Sequence, residues 1–566
     1  MEARNPEVAV AKSASWRAAT LGPFRHRIFF AIWIASLASN FGTMVQAVGA
    51  SWLMTSLAPS PDMVALVQAA TALPIMLLAL PAGAVADVRD RRLLMLLALA
   101  IMLVFSGALA VLSFVERVGA WSLLGLTFLI GCGSALYAPA WQSSVGDQVP
   151  RSELPAAIAL NSLGFNLART AGPAIGGAIV ATAGVSAAFA LNTLSYIGLI
   201  VVLATWKRHV PRPVLPPETI GAAMFAGLRY VGMAPAISSV LVRSLAFGLA
   251  ASGIWALMPL VARDLIGGDA LVFGVMLGAF GIGAVAAALS NAWLHHRYRN
   301  EPIVTAATLV FAAMTAVVAA SRTLWLTLPA LLLIGAGWVL ALSSFNITVQ
   351  TSSPRWVVGR TLAIYQMATF GGIAVGSWAW GETAAASTVA NALLFASLAM
   401  VATALLGLRH RLPQWERQSL EPSHSWPEPR VALDLVPQSG PVVVTIEYRV
   451  SDEDQAAFIV AMREVRRIRR RDGARRWMLL QDVGDPERWI ERFHSPTWLD
   501  HMRHHHRVTM ADRQIETHAR AFHRGPEPPR ISHLLERPPT APPRTRKTDI
   551  DAEASRAARI DPNLPS

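Results

Sequence analysis

The sequence predicts an all-α membrane protein of twelve transmembrane helices in two six-helix repeats, followed by a small α+β domain. Hydrophobic residues make up 53% of the 566 residues and charged residues only 15%, where about 25% is usual for a soluble chain. The charges are unevenly distributed, because residues 1–408 hold 35 of the 85 charged residues and residues 409–566 hold the other 50. The chain therefore divides into a membrane part and a soluble part.

Twelve apolar stretches are long enough to cross a bilayer, which takes about 20 helical residues because every backbone polar group must be satisfied within the segment. The predicted spans are residues 28–54, 62–86, 93–115, 119–144, 154–183, 185–206, 236–262, 270–294, 302–320, 322–349, 358–383 and 387–408. The polar leader, residues 1–27, is not followed by a convincing cleavage site. The first span is therefore expected to stay in the mature protein.

Lys and Arg residues in the short loops orient these spans. With the N-terminus in the cytoplasm, twelve basic residues fall in or beside inner loops and three fall beside outer loops, which is the positive-inside bias. The inner residues are Arg89, Arg91, Arg92, Arg151, Lys207, Arg208, Arg212, Arg229, Arg297, Arg299, Arg355 and Arg360, and the outer residues are Arg117, Arg263 and Arg322. Both chain termini and the soluble domain are thus expected in the cytoplasm.

The longest inner connection, residues 207–235, divides the spans into two bundles, residues 28–206 and 236–408. Two parallel six-helix repeats are typical of transporters whose substrate path lies between the halves. Glycine segments at corresponding places in the fifth and eleventh spans favour duplication, although glycine is common in any membrane helix. After the second bundle we expect a linker at 409–440, a folded domain at 441–536 and a disordered tail at 537–566.

The loop after the second span contains a spaced motif that consists of Gly83, Asp87, Arg91 and Arg92. This loop resembles that of the major facilitator superfamily, with Asp90 where the family usually has glycine. The resemblance implies the major facilitator fold and a latch from Asp87 to the start of the eleventh span near Gly359 and Arg360. A helix N-terminus stabilises a carboxylate by about 0.3 to 2 kcal/mol. The alternative is a solvated charge cluster.

The fifth span contains a glycine and proline segment whose key residues are Gly172, Pro173, Gly176 and Gly177. The Gly-Pro-x-x-Gly-Gly core is similar to the antiporter signature of exporters in this superfamily, so the resemblance implies export. Glycines allow close helix approach and Pro173 permits a bend. Gly274, Gly278 and Gly281 of the eighth span are suited to pack there. Ordinary close packing, without a role in transport, is the alternative.

Polar residues within the spans are expected to face the interior of the bundle, because exposure to lipid is costly. The candidates for the substrate path are Asn40, Gln46, Asn166, Arg169, Arg243, Asn346, Gln350 and Tyr365. Hydrogen bonding between helices is an equal alternative for the Asn and Gln residues. No Asp or Glu lies in the middle of a span, so Arg169 and Arg243 would lack a protein carboxylate and would need carbonyls, water or an anion from outside. We therefore expect an anionic or strongly hydrogen-bonding substrate, such as a carboxylate or catecholate.

Residues 441–536 show a β-α-β-β-α-β pattern, which predicts a ferredoxin-like unit. The predicted strands are 442–449, 476–483, 488–494 and 531–535, and the predicted helices are 452–471 and 496–522. With Trp477 and the histidine-rich segment 498–509, this stretch resembles the C-terminal domain of the transmembrane secretion effectors, a branch related to enterobactin exporters. Arg243 and the pair Gly359–Arg360 match that branch too. The fold of the domain resembles antibiotic-biosynthesis monooxygenases.

The soluble domain shows no recognisable catalytic constellation. His501 and His505 are one helical turn apart, but no cysteine is near them, so an exposed basic helix face is the default interpretation and we expect no metal site. We also expect no cofactor and a regulatory or dimer-forming role for the domain. The formal charge of +4 after residue 408 is nearly balanced, which argues against nucleic acid as a partner.

The residues and the resemblance together predict a secondary transporter in a bacterial inner membrane, with the lipid bilayer and a small-molecule substrate as its partners. It would export a siderophore, macrolide or other natural product by alternating access, and the resemblance implies proton counter-transport. We expect it not to be an enzyme. The alternative is a membrane-anchored enzyme or sensor whose activity resides in the C-terminal monooxygenase-like domain.

Overall fold

The computed structural model describes residues 21–58, 60–150, 153–206, 219–354, 356–412, 420, 423 and 431–537, without the side chains of Asp87, Val88, Pro155 and Ala292. Our expectations for the tail, most of the leader and much of the two linkers lie outside these residues. The chain forms two compact units. The first unit contains the long apolar helices and the second contains a β-sheet.

The N-terminal half of the first unit consists of α1 (Arg27–Leu57), α2 (Pro61–Val88), α3 (Arg91–Phe114), α4 (Ala120–Ser144) and α5 (Leu154–Thr205). Helix α5 is broken at Gly184, where φ is 85° and ψ is 171°. Glycine adopts a positive φ at little steric cost. The two limbs of α5, residues 154–183 and 185–205, therefore meet where the sequence predicts the boundary between two spans.

The C-terminal half follows a short helix, α6 (Ile220–Gly232). It consists of α7 (Pro235–Leu260), α8 (Ala270–Arg297), α9 (Asn300–Ala320), α10 (Leu324–Thr351), α11 (Val358–Ala386) and α12 (Val389–Arg409). Within the described residues, ten helices are long and apolar enough to cross a membrane, with the broken α5 counted as a single helix and α11 not included. The chain is a multi-pass membrane protein.

The first limb of α5 packs closely against α8 through glycines. A Cβ atom added at Gly177 would lie 2.6 Å from the Ala270 carbonyl oxygen and 2.9 Å from the Cα of Gly274. Further along, a Cβ at Gly281 would lie 2.9 Å from the Cα of Thr170. The backbones of the two halves thus meet almost without intervening side chains. The prediction that the glycines of the eighth span pack on the fifth span is confirmed.

The two halves also meet at the end of the bundle where α1 ends and α2 begins, which we call the distal end. There Arg263, just after α7, donates a hydrogen bond from Nη1 to the Thr55 carbonyl of α1. In the same region a Cβ added at Gly381 of α11 would lie 2.7 Å from the Cβ of Ala65 in α2. We call the opposite end, where α1 and α5 begin, the proximal end. The contacts of Arg263 with Thr55 and of Gly381 with Ala65 join the two halves at the distal end.

The second unit contains a four-stranded antiparallel sheet with strand order β2-β3-β1-β4. Its elements are β1 (Val442–Arg449), α13 (Gln455–Asp472), β2 (Arg475–Gln481), β3 (Arg488–Ser495), α14 (Trp498–Arg507), α15 (Met510–Arg520) and β4 (Arg530–Leu535). The strands lie within two residues of the predicted positions. The single helix predicted over 496–522 is wrong, because Thr509 is extended and caps a separate helix by accepting a hydrogen bond from the Asp512 N–H.

The helices cover one face of this sheet. Val444 and Ile446 of β1 and Phe493 of β3 lie on this face and pack with Phe458 and Met462 of α13. The two α13 residues are one helical turn apart, so they share one side of that helix. The alternation along β1 and the helical spacing along α13 therefore build a single apolar core.

A buried arginine ties α13 to the sheet and to α15. Arg469 donates from Nε to Glu491 of β3 at 3.1 Å and from Nη1 to Glu516 of α15. Glu491 also accepts hydrogen bonds from the indole of Trp477, at 2.9 Å, and the hydroxyl of Tyr448, at 3.2 Å. The coulombic attraction of the two glutamates raises the pKa of Arg469 despite its burial. Arg513 also pairs with Glu516, at 3.5 Å, so the cluster contains two cations and two carboxylates.

The expectation of an exposed histidine face on α14 is wrong. His501 and His504 are buried, and the ring of His504 lies 5.7 Å from that of Phe493. Burial lowers the pKa of His501 to about 3 and lowers the pKa of His504 and of His505 as well. These imidazoles are therefore neutral near pH 7. In the run 504–506, only His506 is exposed.

Replacing Gly177 with alanine tests the contact between α5 and α8. The added Cβ would meet backbone atoms, which cannot rotate away, so the helices must separate at a cost of about 1 to 3 kcal/mol. We expect a lower melting temperature for the detergent-solubilised full-length protein. Gly198→Ala, on the second limb of the same helix, is the matched control, since a Cβ added there would have no described atom within 4 Å apart from its own helical backbone. Equal melting temperatures for the two variants would contradict the packing.

Replacing Arg469 with methionine tests the buried cluster of the second unit. Glu491 would then be a buried carboxylate without its cation, which costs about 3 to 5 kcal/mol, while Glu516 would keep only its contact with Arg513 at 3.5 Å. We expect faster hydrogen exchange of the amides of β3 and α13 in the full-length protein. Arg470→Met, at an exposed neighbouring position, should leave exchange unchanged. Protection that survives in the Arg469 variant would show that the cluster is dispensable.

Candidate functional site

A cavity of about 610 Å³ lies within the N-terminal half of the first unit. Its walls come from α1, α4 and both limbs of α5, in the proximal part of the bundle. The aromatic and amide side chains that line it are Trp33, Asn40, Tyr137, Trp141, Gln142, Asn161, Phe165 and Asn166. Two of the predicted substrate-path residues, Asn40 and Asn166, are among them.

The aromatic wall of the cavity is held by specific contacts. Tyr137 and Trp141, one turn apart on α4, stack with ring centroids 5.9 Å apart and an interplanar angle of 14°. Across the cavity, Trp33 of α1 donates a hydrogen bond from its indole to the Leu160 carbonyl at 2.9 Å. A Cβ added at Gly164 would lie 3.5 Å from that indole, so the glycine leaves room for the ring. The wall is thus preformed.

Polar groups stand between these rings. Asn40 lies seven residues after Trp33, so the two share a face of α1. On α5, Asn166 donates to the Ser162 carbonyl at 2.9 Å, while the amide nitrogen of Asn161 has no hydrogen-bond partner among the described residues. The cavity therefore combines flat apolar surfaces with amide donors and acceptors, as small-molecule sites commonly do.

Arg169 lies one helical turn after Asn166, next to the other half of the molecule. Its guanidinium carbon is 6.0 Å from the ring centroid of Phe280 in α8, a cation–π distance. Within the described part of the chain it makes no ion pair with a carboxylate. Arg169 is therefore a positive charge at the boundary of the two halves, close in sequence to the cavity wall.

Arg243 differs from the expectation, because a carboxylate of the protein neutralises it. It is 1% exposed, and its Nη1 donates to both oxygens of Glu301, at 2.7 Å and 2.6 Å. Glu301 lies in the first turn of α9 and also accepts a hydrogen bond from the Leu412 N–H. The prediction that Arg243 lacks a protein counter-charge is wrong, since its side chain reaches a carboxylate at the end of a neighbouring helix.

Gln46 belongs to a buried network between helices rather than to the cavity wall. Its amide oxygen accepts hydrogen bonds from Ser106 of α3, at 2.7 Å, and from Asn192 of α5. Asn192 also donates to the hydroxyl of Tyr196 at 3.0 Å. For Gln46, therefore, the structure shows hydrogen bonding between helices, which was the alternative to a place on the substrate path.

The remaining candidates lie in the C-terminal half, away from the cavity. Gln350 donates to Asn346 one turn earlier on α10, and Gln350 is exposed. Tyr365 of α11 is buried and donates from its hydroxyl to the Leu342 carbonyl of α10 at 3.2 Å. The structure does not bring these three residues together with Asn40 and Asn166.

The charged motif between α2 and α3 forms hydrogen bonds to the ends of neighbouring helices on the proximal side of the bundle. Asp90 caps α3 by accepting a hydrogen bond from the Arg92 N–H at 2.8 Å, so the turn needs no glycine there. Arg91 donates to the Ser143 carbonyl of α4 at 2.8 Å, and Arg92 donates to the Leu203 carbonyl of α5 at 2.8 Å. The side chain of Asp87, and with it the predicted latch, lies outside what the structure describes.

Sequence reasoning missed most of the aromatic wall. Trp33, Ser36 and Asn40 follow the spacing i, i+3, i+7, and Tyr137 and Trp141 follow i, i+4, which together could have indicated two faces turned to one space. Asn161 and Gln142 gave no comparable signal.

The described residues able to hold a metal ion, His501, His505 and His533, lie in the second unit.

Comparisons with known proteins agree with this architecture. The sequence profile of the transmembrane secretion effector family matches residues 18–539, so the chain belongs to this family. The multidrug efflux pump Tap of Mycolicibacterium fortuitum is 27% identical over 67% of this chain and 93% of its own length. The enterobactin exporter EntS of Salmonella choleraesuis (strain SC-B67) is 26% identical over 51% of this chain and 66% of its own.

Solved structures share the fold of the membrane unit. An auto-inhibited peptide transporter of the POT family aligns with a TM-score of 0.56 at 14% identity, over 69% of this chain and 99% of its own. The protein is thus a membrane transporter of the major facilitator superfamily. Its family and structural neighbours are transporters, in agreement with the expectation that it is not an enzyme.

Substitutions at Arg243 and Glu301 test whether this pair is structural. Arg243→Met alone leaves a carboxylate without its cation and should lower stability by about 3 to 5 kcal/mol. The double variant Arg243→Met/Glu301→Gln removes both charges and keeps an acceptor for the Leu412 N–H, so it should recover most of the loss. The readout is the melting temperature in detergent. Additive losses in the double variant would contradict a direct ion pair.

Proposed function

We propose that this member of the transmembrane secretion effector family exports small, anionic or strongly hydrogen-bonding compounds across a bacterial cytoplasmic membrane by alternating access. The observation that carries the proposal is the cavity of aromatic and amide side chains in the N-terminal half, with Arg169, which makes no ion pair among the described residues, one helical turn from Asn166. Siderophores, macrolides and other natural products are the expected substrates.

The proposed architecture has twelve spans in two halves of six. Ten long apolar helices support this, because the break at Gly184 divides one of them into two and α11 adds 29 helical residues. Helix α11 is less apolar than the other long helices of the first unit, since its sequence contains polar residues such as Gln366 and Thr369. With an even number of spans and the basic residues inside, both termini lie in the cytoplasm.

The proposed transport cycle rocks the two halves about the distal contacts. The α5–α8 glycine contact and the hydrogen bond from Arg263 to Thr55 hold the halves together distally, while the cavity lies proximally. This arrangement corresponds to access from the cytoplasmic side. Arg91, Arg92 and Asp87 act at the inner gate in this proposal, and the segment Gly172–Gly177 allows the packing and bending of α5.

The chemistry of the cavity favours a flat, hydrogen-bonding anion as substrate. Trp33, Tyr137 and Trp141 offer faces for an aromatic ring, and Asn40 and Asn161 offer amide groups for its oxygen atoms. Arg169 then supplies the counter-charge, since a guanidinium binds a carboxylate or catecholate through two hydrogen bonds. Because Glu301 neutralises Arg243, the preference for an anion would come from Arg169.

The direction of transport and the driving ion rest on relatives and on resemblance. One relative is named a multidrug efflux pump and another an enterobactin exporter, which supports efflux. Proton exchange is the proposed driving reaction. The proton carrier would be a carboxylate near a helix end, such as Glu153, which contacts His26 at 3.1 Å in the proximal region.

We further propose that the C-terminal domain is ferredoxin-like and dimerises through its open sheet face. The strand order supports the fold, and the face opposite the helices exposes Met478 and Leu480 of β2 and Leu534 of β4. Dimerisation would bury these apolar side chains. Disulfide crosslinking measures this dimerisation. In a Cys132→Ser background, we expect Leu480→Cys to crosslink two chains and Arg470→Cys, at an exposed helix position, not to do so.

Uptake into inside-out membrane vesicles tests the proposed export. We expect uptake driven by an imposed pH gradient, with anionic siderophores preferred over cationic dyes. Arg169→Gln should reduce uptake of the anionic substrate at least about tenfold, and Arg169→Lys should keep part of it, because a lysine retains charge but not the bidentate geometry. Arg299→Gln, at an exposed position, is the control. Unchanged uptake of the anion by Arg169→Gln would refute the assigned role.

A further inference from the structure

Three histidines from two separate elements converge inside the second unit. His501 and His505 lie one turn apart on α14, and His533 lies on β4. The Nε2 atoms of His501 and His505 are 3.2 Å apart, and the rings of His501 and His533 have centroids 5.0 Å apart. One ring nitrogen from each of the three residues lies within 4.8 Å of the others.

This spacing is that of ligands around one small cation. Zinc–imidazole bonds of about 2.0 to 2.1 Å at tetrahedral angles separate the nitrogens of neighbouring ligands by roughly 3.3 to 3.4 Å. The pair on α14, at 3.2 Å, is close to this separation, and the nitrogen of the third ring lies within 4.8 Å of both. The alternative is a hydrogen bond between His501 and His505, but that hydrogen bond would not explain why His533 lies beside them.

The three rings lie on defined secondary-structure elements and not on surface loops. His533 pairs with Val444 across β4 and β1, so it lies on the helix-covered face of the sheet, towards α14. The ring of Trp498 lies 5.3 Å from that of His501, and His501 is buried. The ligand positions are therefore set by a strand and a packed helix, as a defined metal site requires.

The electrostatic surroundings tolerate a cation. Arg469 is the nearby positive charge that acts on His501 and His505, but it is bound to both Glu491 and Glu516, and these two carboxylates balance the charges of Arg469 and Arg513. The imidazoles are neutral near pH 7, which is the form that binds metals. The histidines come from different parts of the chain, 28 residues apart between His505 and His533, which is why sequence spacing alone did not indicate them.

We propose that His501, His505 and His533 bind a divalent first-row transition-metal ion of the zinc class. Three imidazole ligands suit zinc, copper or nickel and leave a coordination position for water or an added anion. The ion would join α14 to β4 and so stabilise the domain. This site is separate from the membrane cavity and does not depend on the proposed export.

Metal titration of the full-length protein tests the proposal. The protein is purified in detergent with an affinity tag that lacks histidine, treated with a chelator, and titrated with Zn²⁺ against a competing indicator. We expect one tight site per chain and a higher melting temperature with Zn²⁺. His505→Gln and His533→Gln should each weaken binding at least about tenfold, and His506→Gln, the exposed neighbour, should not. Absence of a tight site, or equal affinity in all variants, would overturn the proposal.

A ligand exchange identifies the site even if a glutamine variant folds poorly. In a Cys132→Ser background, His505→Cys places a thiolate where an imidazole is proposed to bind. We expect Co²⁺ added to this variant to show a sulfur-to-cobalt charge-transfer absorption that the Cys132→Ser protein and a His506→Cys control lack. An absorption of equal strength in the His506→Cys control, or none in His505→Cys, would refute the assignment of His505 as a ligand.

Discussion

The contact between the backbones of α5 and α8 is the interaction on which the membrane unit depends. Lipid provides no hydrophobic force between helices, so their association relies on close packing. At Gly177 and Gly274 this packing is backbone against backbone, with 2.9 Å between an added Cβ and the opposite Cα. Two surfaces without protruding side chains can slide or separate without changing rotamers. The contact therefore holds the halves together and still permits the motion that a transporter requires.

The two buried arginines show how position along a helix decides the role of a charge. Arg243 reaches Glu301 because the carboxylate lies in the first turn of α9, and a long side chain can extend towards a helix end. Arg169 lies deeper, near Phe280, where the neighbouring helix offers an aromatic face and a glycine row. Counting carboxylates in the middle of spans could not distinguish the two, because the counter-charge of Arg243 comes from an edge.

Features set by local sequence, such as span boundaries, could be predicted. Features set by packing between distant elements, such as the burial of a helix face, could not. Hydropathy predicted the span boundary at Gly184, and glycine spacing predicted the α5–α8 contact. The burial of the α14 histidines contradicts the sequence prediction, because it depends on the sheet face beneath them, which residue spacing within one helix does not reveal. The break at Thr509 did have a local signal, since Thr509 and Asp512 form a capping box.

The position of Arg169 offers a physical link between substrate binding and the motion of the halves. The cavity wall belongs to α1, α4 and α5, so a bound compound can remain in contact with one half while the other moves. Arg169, however, lies between that half and Phe280 of α8. Pro173, four residues later, cannot donate a hydrogen bond to the Arg169 carbonyl, so the helix is free to bend at this residue. In the proposed cycle, an anion that binds Arg169 would compete with its contact to α8. Binding would then weaken the same interface that must open.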